Sequence, residues 1–336
     1  MTPEPAQPIQ SQQSPPAAHA AGVSAGALSL NCRAAAVFDE LAAQTLTARL
    51  ARHELPGGGQ LIDAGIDVPG GLAAGLMVAR LCLANLAEVQ LVPSDLPGTG
   101  TAVSVWTDHP VAACLASQYA GWRLASGKFF AMGSGPMRAA ADCETLFDDI
   151  GHRERADVVV GALETRKQPP AEIVAQIAER CRVPSGALRL VVAPTASQAG
   201  TLQVVARSLE TALHKLHELK YDVARIESGW GTAPLPPVAA DDLGGIGRTN
   251  DAVLYGGEVT LWLRDDDERL VELGPRIPSS ASPQHGAPFS EIFRGAGGDF
   301  YQIDPLLFSP AVVRLVNLTT GNTFSFGRLV PEVLAT

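Results

Sequence analysis

Between residues 157 and 219 the chain alternates strand and helix signals without interruption, and this order constrains the fold more than any other feature. Residues 157–163 are a short apolar run, Pro169-Pro170 introduces an amphipathic stretch over 171–181, and residues 188–193 form a second apolar run. Proline at the start of a helix removes an N–H that would have no partner there. Pro194-Thr195-Ala196-Ser197 then offers hydroxyls that can cap the helix expected over about 202–219. Strand, helix, strand, loop and helix in succession predict an α/β protein.

The flanking segments extend the pattern. Ala35, Phe38, Leu41, Ala42, Leu46 and Leu50 recur at helical spacing after Asn31, and Gly57-Gly58-Gly59 closes that helix ahead of a strand at 60–64. A second helix is expected over 70–86, strands at 88–92 and 101–106, a helix over 109–124 and a strand at 128–131. Past Tyr221, two hairpins are expected: 252–255 with 258–263 across Gly256-Gly257, and 312–318 with 323–326 across Thr320-Gly321-Asn322. The predicted architecture is two α/β domains, 28–153 and 154–336, with the C-terminal strands free to return to the first. Residues 1–27, rich in Pro, Gln, Ala and Ser, are expected to be a disordered tail.

Composition excludes several function classes. A chain of 336 residues, 46% hydrophobic and 18% charged, can bury a large core. Its net charge of -10 and lack of a basic patch argue against nucleic acid as a partner. The longest apolar run, around 71–86, is broken by Arg80 and Asn85, so no membrane span is expected. Five cysteines, Cys32, Cys82, Cys114, Cys143 and Cys181, are scattered without a Cys-x-x-Cys pair. They read as small buried hydrophobes in a reduced, cytoplasmic setting.

The predicted helix over 202–219 carries the first candidate site. Leu202, Val205, Leu209, Ala212, Leu216 and Leu219 make one apolar stripe, and Arg207, Glu210 and His214 share the opposite side. That spacing suits a solvated ion pair as well as a carboxylate base with its arginine partner, and periodicity does not choose between them. His214 and His217 stand three apart with no third ligand evident, so no metal site is expected. Gly133-Ser134-Gly135, Gly244-Gly245-Ile246-Gly247 and Gly295-Ala296-Gly297-Gly298 fit neither a Walker A loop nor a dinucleotide fingerprint and read first as tight turns. Asp265-Asp266-Asp267-Glu268 reads as an exposed turn.

A set of segments in fixed order resembles one family, the methenyltetrahydromethanopterin cyclohydrolases of methanogens and methylotrophs. The set comprises Phe130-Ala131-Met132-Gly133-Ser134-Gly135-Pro136 with Arg138, Leu163-Glu164-Thr165-Arg166, and Val192-Ala193-Pro194-Thr195-Ala196-Ser197 with Ala199-Gly200. It continues through Leu213-His214-Lys215-Leu216-His217-Glu218-Leu219, Gly247-Arg248-Thr249-Asn250-Asp251-Ala252 and Leu254-Tyr255-Gly256-Gly257. Pro278-Ser279-Ser280-Ala281-Ser282 and Asp299-Phe300-Tyr301-Gln302-Ile303-Asp304-Pro305 complete it.

The resemblance implies reversible hydrolysis of N5,N10-methenyltetrahydromethanopterin to the N5-formyl compound, in the one-carbon metabolism of formaldehyde oxidation and methylotrophy. It implies a ligand cleft between the two domains, a homotrimer, and no metal or prosthetic group. The family's Arg-x-x-Glu pair falls on Arg207 and Glu210, as electrostatic partner and general base. Ser134, Gly135, Thr195, Ser197 and Arg248 are the candidate substrate-binding residues. Two other readings stay open: the same chemistry on another reduced pterin or folate, and a non-catalytic pterin-binding protein.

Overall fold

The computed structural model describes residues 28–334 and contains two six-stranded sheets. The expected disordered tail, residues 1–27, lies outside the described residues. The strands are β1 (Ala51–Glu54), β2 (Gln60–Asp63), β3 (Glu88–Pro93), β4 (Thr101–Thr107), β5 (Trp122–Ser126) and β6 (Phe129–Ser134). They continue with β7 (Val159–Glu164), β8 (Leu188–Val192), β9 (Ile226–Pro234), β10 (Glu258–Leu263), β11 (Val312–Asn317) and β12 (Thr323–Gly327).

The first sheet has the order β1-β2-β8-β7-β6-β5, with β2, β8 and β7 mutually parallel and the outer pairs antiparallel. Its centre is apolar on both faces because helices cover both. Val159, Leu163, Leu188, Leu190 and Val192 point into a core with Ile173, Val174 and Ile177 of the helix Ala171–Cys181. Val160, Ala162 and Val191 point the other way, onto Phe38 and Leu41 of helix Leu30–Ala43 and Val78 and Leu81 of helix Leu72–Cys82. This two-residue alternation between covered faces explains why β7 and β8 read as unbroken apolar runs.

The second sheet has the order β12-β11-β10-β9-β4-β3, antiparallel except for β10 with β11. Val103, Val105, Val259, Leu261, Val313 and Leu315 face a core shared with Leu202, Leu209, Leu213 and Leu216. The α/β class predicted from sequence is what the chain adopts. The expected division near residues 151–156 falls between β6 and β7, and both sheets draw strands from either side of it.

Several local expectations are corrected. The stretch 202–219 is two helices, Gln198–Val205 and Ser208–Glu218, with a break at Ala206 and Arg207. The apolar stripe continues through the break, so periodicity could not reveal it. Residues 252–255 are not a hairpin strand but the last turn of helix Asp242–Gly256, and β10 pairs with β9 and β11 instead. Four apolar residues followed by two glycines suit either state, and tertiary packing decides. Gly244, Gly245 and Gly247 lie inside that same helix rather than in a turn. The first helix ends at Ala43, leaving Leu46 90% exposed. Only Val111–Gln118 of the expected 109–124 helix is helical, in a π-type turn closed by Tyr119 N–H donating to the Cys114 carbonyl at 2.9 Å. Asp265 is buried rather than in an exposed turn. The 312–326 hairpin is present as β11 and β12.

Candidate functional site

The break before Ser208 sets the geometry of the site. Arg207 occupies the N-cap position, and Glu210 sits in the first turn of helix Ser208–Glu218. A carboxylate there meets the positive end of the helix dipole. The Arg207 guanidinium donates to Glu210 Oε2 twice, from Nε at 3.1 Å and Nη2 at 2.9 Å. Glu210 is 1% exposed, so the solvated-pair reading of this helix face does not hold.

The pair lines a cavity of about 410 Å3. Met132 and Glu164 of the first sheet form one part of its wall, and Thr211 and His214 continue the face that bears Glu210. Ile246, Thr249, Asn250, Val253 and Leu254 of helix Asp242–Gly256 form another part, and Phe300, Ile303, Pro305 and Phe308 supply an apolar side. Tyr119 to Gly121, the segment released by the π-type turn, complete it.

Electrostatics inside the cavity are strongly coupled. Burial is the largest single influence on Arg207 and opposes its charge, but Glu210, Glu164 and Cys82 together outweigh it and hold the guanidinium above its ordinary range. Desolvation pushes the Glu164 carboxyl up, against the Thr195 hydroxyl, Arg207 and Gln203, which favour its ionised form. Burial lowers the pKa of His214, which Glu210 and Glu218 only partly restore, so its imidazole is neutral at pH 7. Burial, with Glu210 close by, pushes the Tyr119 phenol up to about 12. Tyr119 stacks on His214 with ring centroids 4.6 Å apart and lies against buried Arg138, whose guanidinium carbon is 4.8 Å from the ring. Arg138 is fixed in turn by Glu144, at 2.8 and 2.5 Å, and by the Leu115 carbonyl.

The other candidate binding residues lie outside the cavity lining. Ser197 caps helix Gln198–Val205 by accepting from Gly200 N–H. Gly200 itself is required because a Cβ there would stand 1.8 Å from the Pro194 carbonyl. Gly135 takes φ +92°, in the left-handed region, which accounts for a glycine at that position. Ser134 lies 3.5 Å from the Cys82 thiol. Arg248 donates to the Pro237 and Val238 carbonyls at 3.2 and 3.3 Å. Thr195 donates its hydroxyl to Glu164. Sequence reasoning thus named the anchor and missed Glu164, although Leu163-Glu164-Thr165-Arg166 stood among the segments that carried the resemblance.

His214 and His217 diverge: the first faces the cavity, while the second bonds Asp149 at 2.7 Å. Among the described residues, His53, Asp63 and Asp67 are close enough to share one ion, and none lines the cavity. No described helix is long and apolar enough to cross a membrane.

The chain is also similar to known proteins along most of its length. The family model described as Cyclohydrolase (MCH) matches residues 29–336. A methenyltetrahydromethanopterin cyclohydrolase of Xanthobacter autotrophicus is 50% identical over 276 residues, 82% of each chain. The protein of that name from Rhodopirellula baltica is 46% identical over 283 residues, 82% of this chain and 85% of its own. The one from Methanococcoides burtonii is 40% identical over 310 residues, 91% of this chain and 97% of its own. The chain described here therefore belongs to the cyclohydrolase (MCH) family.

Proposed function

We propose that the chain catalyses reversible hydrolysis of N5,N10-methenyltetrahydromethanopterin to N5-formyltetrahydromethanopterin. The observation that carries this reading is the Arg207–Glu210 pair, held in the wall of a largely apolar cavity within a chain that matches the family along nearly its whole described length. The substrate is a cyclic amidinium cation whose bridging carbon is already electrophilic. Its hydrolysis needs a positioned water and an acceptor for the proton, not a Lewis acid.

In this mechanism Glu210 takes a proton from water as the oxygen bonds to the methenyl carbon, giving a neutral tetrahedral adduct. Arg207 orients the carboxylate and steadies negative charge growing on the attacking oxygen. Collapse of the adduct breaks the bond from carbon to N10 as the adduct hydroxyl loses its proton to become the formyl carbonyl, so that of the two protons of water one ends on N10 and the other leaves through Glu210. The formyl group stays on N5, and one proton is released per turnover. The carboxylates of Glu210 and Glu164 favour entry of a cation. The working form is assigned as a cytoplasmic homotrimer without a bound cofactor, on the strength of the family.

The test is to incubate purified protein with methenyltetrahydromethanopterin and, separately, methenyltetrahydrofolate, following loss of the methenyl chromophore. Fast turnover of the first is expected, with little of the second. Inertness toward both would leave the chain a pterin binder, and preference for the folate would reassign the carrier. Light scattering on the same preparation reads the oligomeric state, and a mass of three chains is expected.

A further inference from the structure

The cavity contains a second carboxylate that takes no bond-making or proton-transfer step in the hydrolysis above. Glu164 ends β7, opposite Met132 of β6, and both residues line the cavity. Its Oε1 accepts the hydroxyl of Thr195, a buried residue in the loop after β8, and the Gln203 amide of helix Gln198–Val205 also bonds the carboxylate. Anchoring from a loop and a helix fixes a strand-end side chain in one orientation. An ionised carboxylate only accepts hydrogen bonds, so its remaining lone pairs call for a ligand edge that presents N–H donors. In the pterin bicycle that edge is the N3–H with the 2-amino group, two parallel donors matched to a carboxylate.

Building on the function proposed above, we propose that Glu164 is a specificity residue that receives the N3–H and 2-amino edge of the pterin, holding the bicycle so that its methenyl carbon reaches Glu210. Burial and Asp242 raise the Glu164 carboxyl pKa, while Thr195, Arg207 and Gln203 act the other way, toward the ionised acceptor that the pterin edge requires. The anchor also gives Thr195 a function without substrate contact, as a positioning residue.

The experiment compares binding of tetrahydropterin with that of its 2-desamino analogue, by anaerobic calorimetry, to the full chain and to Glu164→Gln. Steady-state kinetics with the methenyl substrate run alongside. Hydrogen bonds to a charged group imply a preference of about tenfold to a hundredfold for the 2-amino form in the unaltered protein. In Glu164→Gln that preference should vanish, and KM should rise by a similar factor while kcat changes little. Thr195→Val, which keeps the carboxylate but removes its anchor, should fall between the two. Equal binding of both probes by the unaltered protein overturns the proposal, and this measurement does not depend on any variant folding. So does a folded Glu164→Gln that keeps the preference, or one whose kcat collapses with KM unchanged. The probes carry no methenyl bridge, so a chain that distinguished them without hydrolysing the substrate would support the Glu164 assignment while refuting the reaction.

Discussion

Arg207 grips Glu210 by one oxygen only: both guanidinium bonds, at 3.1 and 2.9 Å, end on Oε2, and Oε1 is left free of the arginine. The carboxylate is thus oriented and charge-balanced through one oxygen while the other remains available to a water. An end-on pair of this kind suits a base better than a bidentate clasp, which would occupy both oxygens.

Glu210→Gln should cripple turnover while leaving pterin binding close to normal. Glutamine keeps the size and can hold a water, but it cannot take the proton. A general base contributes about 10²–10⁴-fold in rate, so the loss should stand well clear of assay error. A folded variant that hydrolyses at the unaltered rate would require another base.

Arg207→Ala should lower both activity and stability, because it leaves a buried carboxylate unpaired. Removing one partner of a buried ion pair typically costs about 3–5 kcal/mol. Combining it with Glu210→Gln should recover much of the lost stability and none of the activity. Thermal denaturation of the two single variants and the double variant checks this; a double variant no more stable than Arg207→Ala would contradict it.

Asp251 provides a pH-dependent prediction. Burial raises its carboxyl from the ordinary 3.8 to about 6, against the hydrogen bond it accepts from Phe289 N–H at 2.7 Å. The folded protein therefore holds a proton that the unfolded chain releases between those values. The contribution of this group to stability falls as pH rises from about 3.8 through 6 and stays low above that. An asparagine side chain in its place would still accept from Phe289 without the cost of charge, so Asp251→Asn should stabilise the fold at pH 7–8 by about 2–3 kcal/mol. Below the carboxyl's ordinary pKa it should add almost nothing. Denaturant midpoints at both pH values measure the difference, and an equal effect at each would refute the account.

Exhaustive chelation should leave hydrolysis unchanged. The His53, Asp63 and Asp67 group lies outside the cavity lining, and the proposed chemistry takes its electrophile from the substrate's own charge. Loss of activity that one added divalent ion restored would disprove this.

The sequence by itself determined the class of fold and the catalytic candidates. Apolar runs at β7 and β8, separated by an amphipathic helix, are legible because strand and helix periods differ and each element must bury its own face. Arg207 and Glu210 came from a family resemblance, since their spacing fits a surface pair equally well. Only the tertiary structure decided that these two are buried, because a helical face acquires its environment from what packs on it. The break at Ala206 and Arg207 stayed hidden because the stripe Leu202, Val205, Leu209 satisfies the core on both sides of it. Glu164 was missed for a related reason. It bonds Thr195 and faces the charge of Arg207 only once the end of β7, the loop after β8 and the start of helix Ser208–Glu218 are gathered around one cavity, a juxtaposition that no local periodicity encodes.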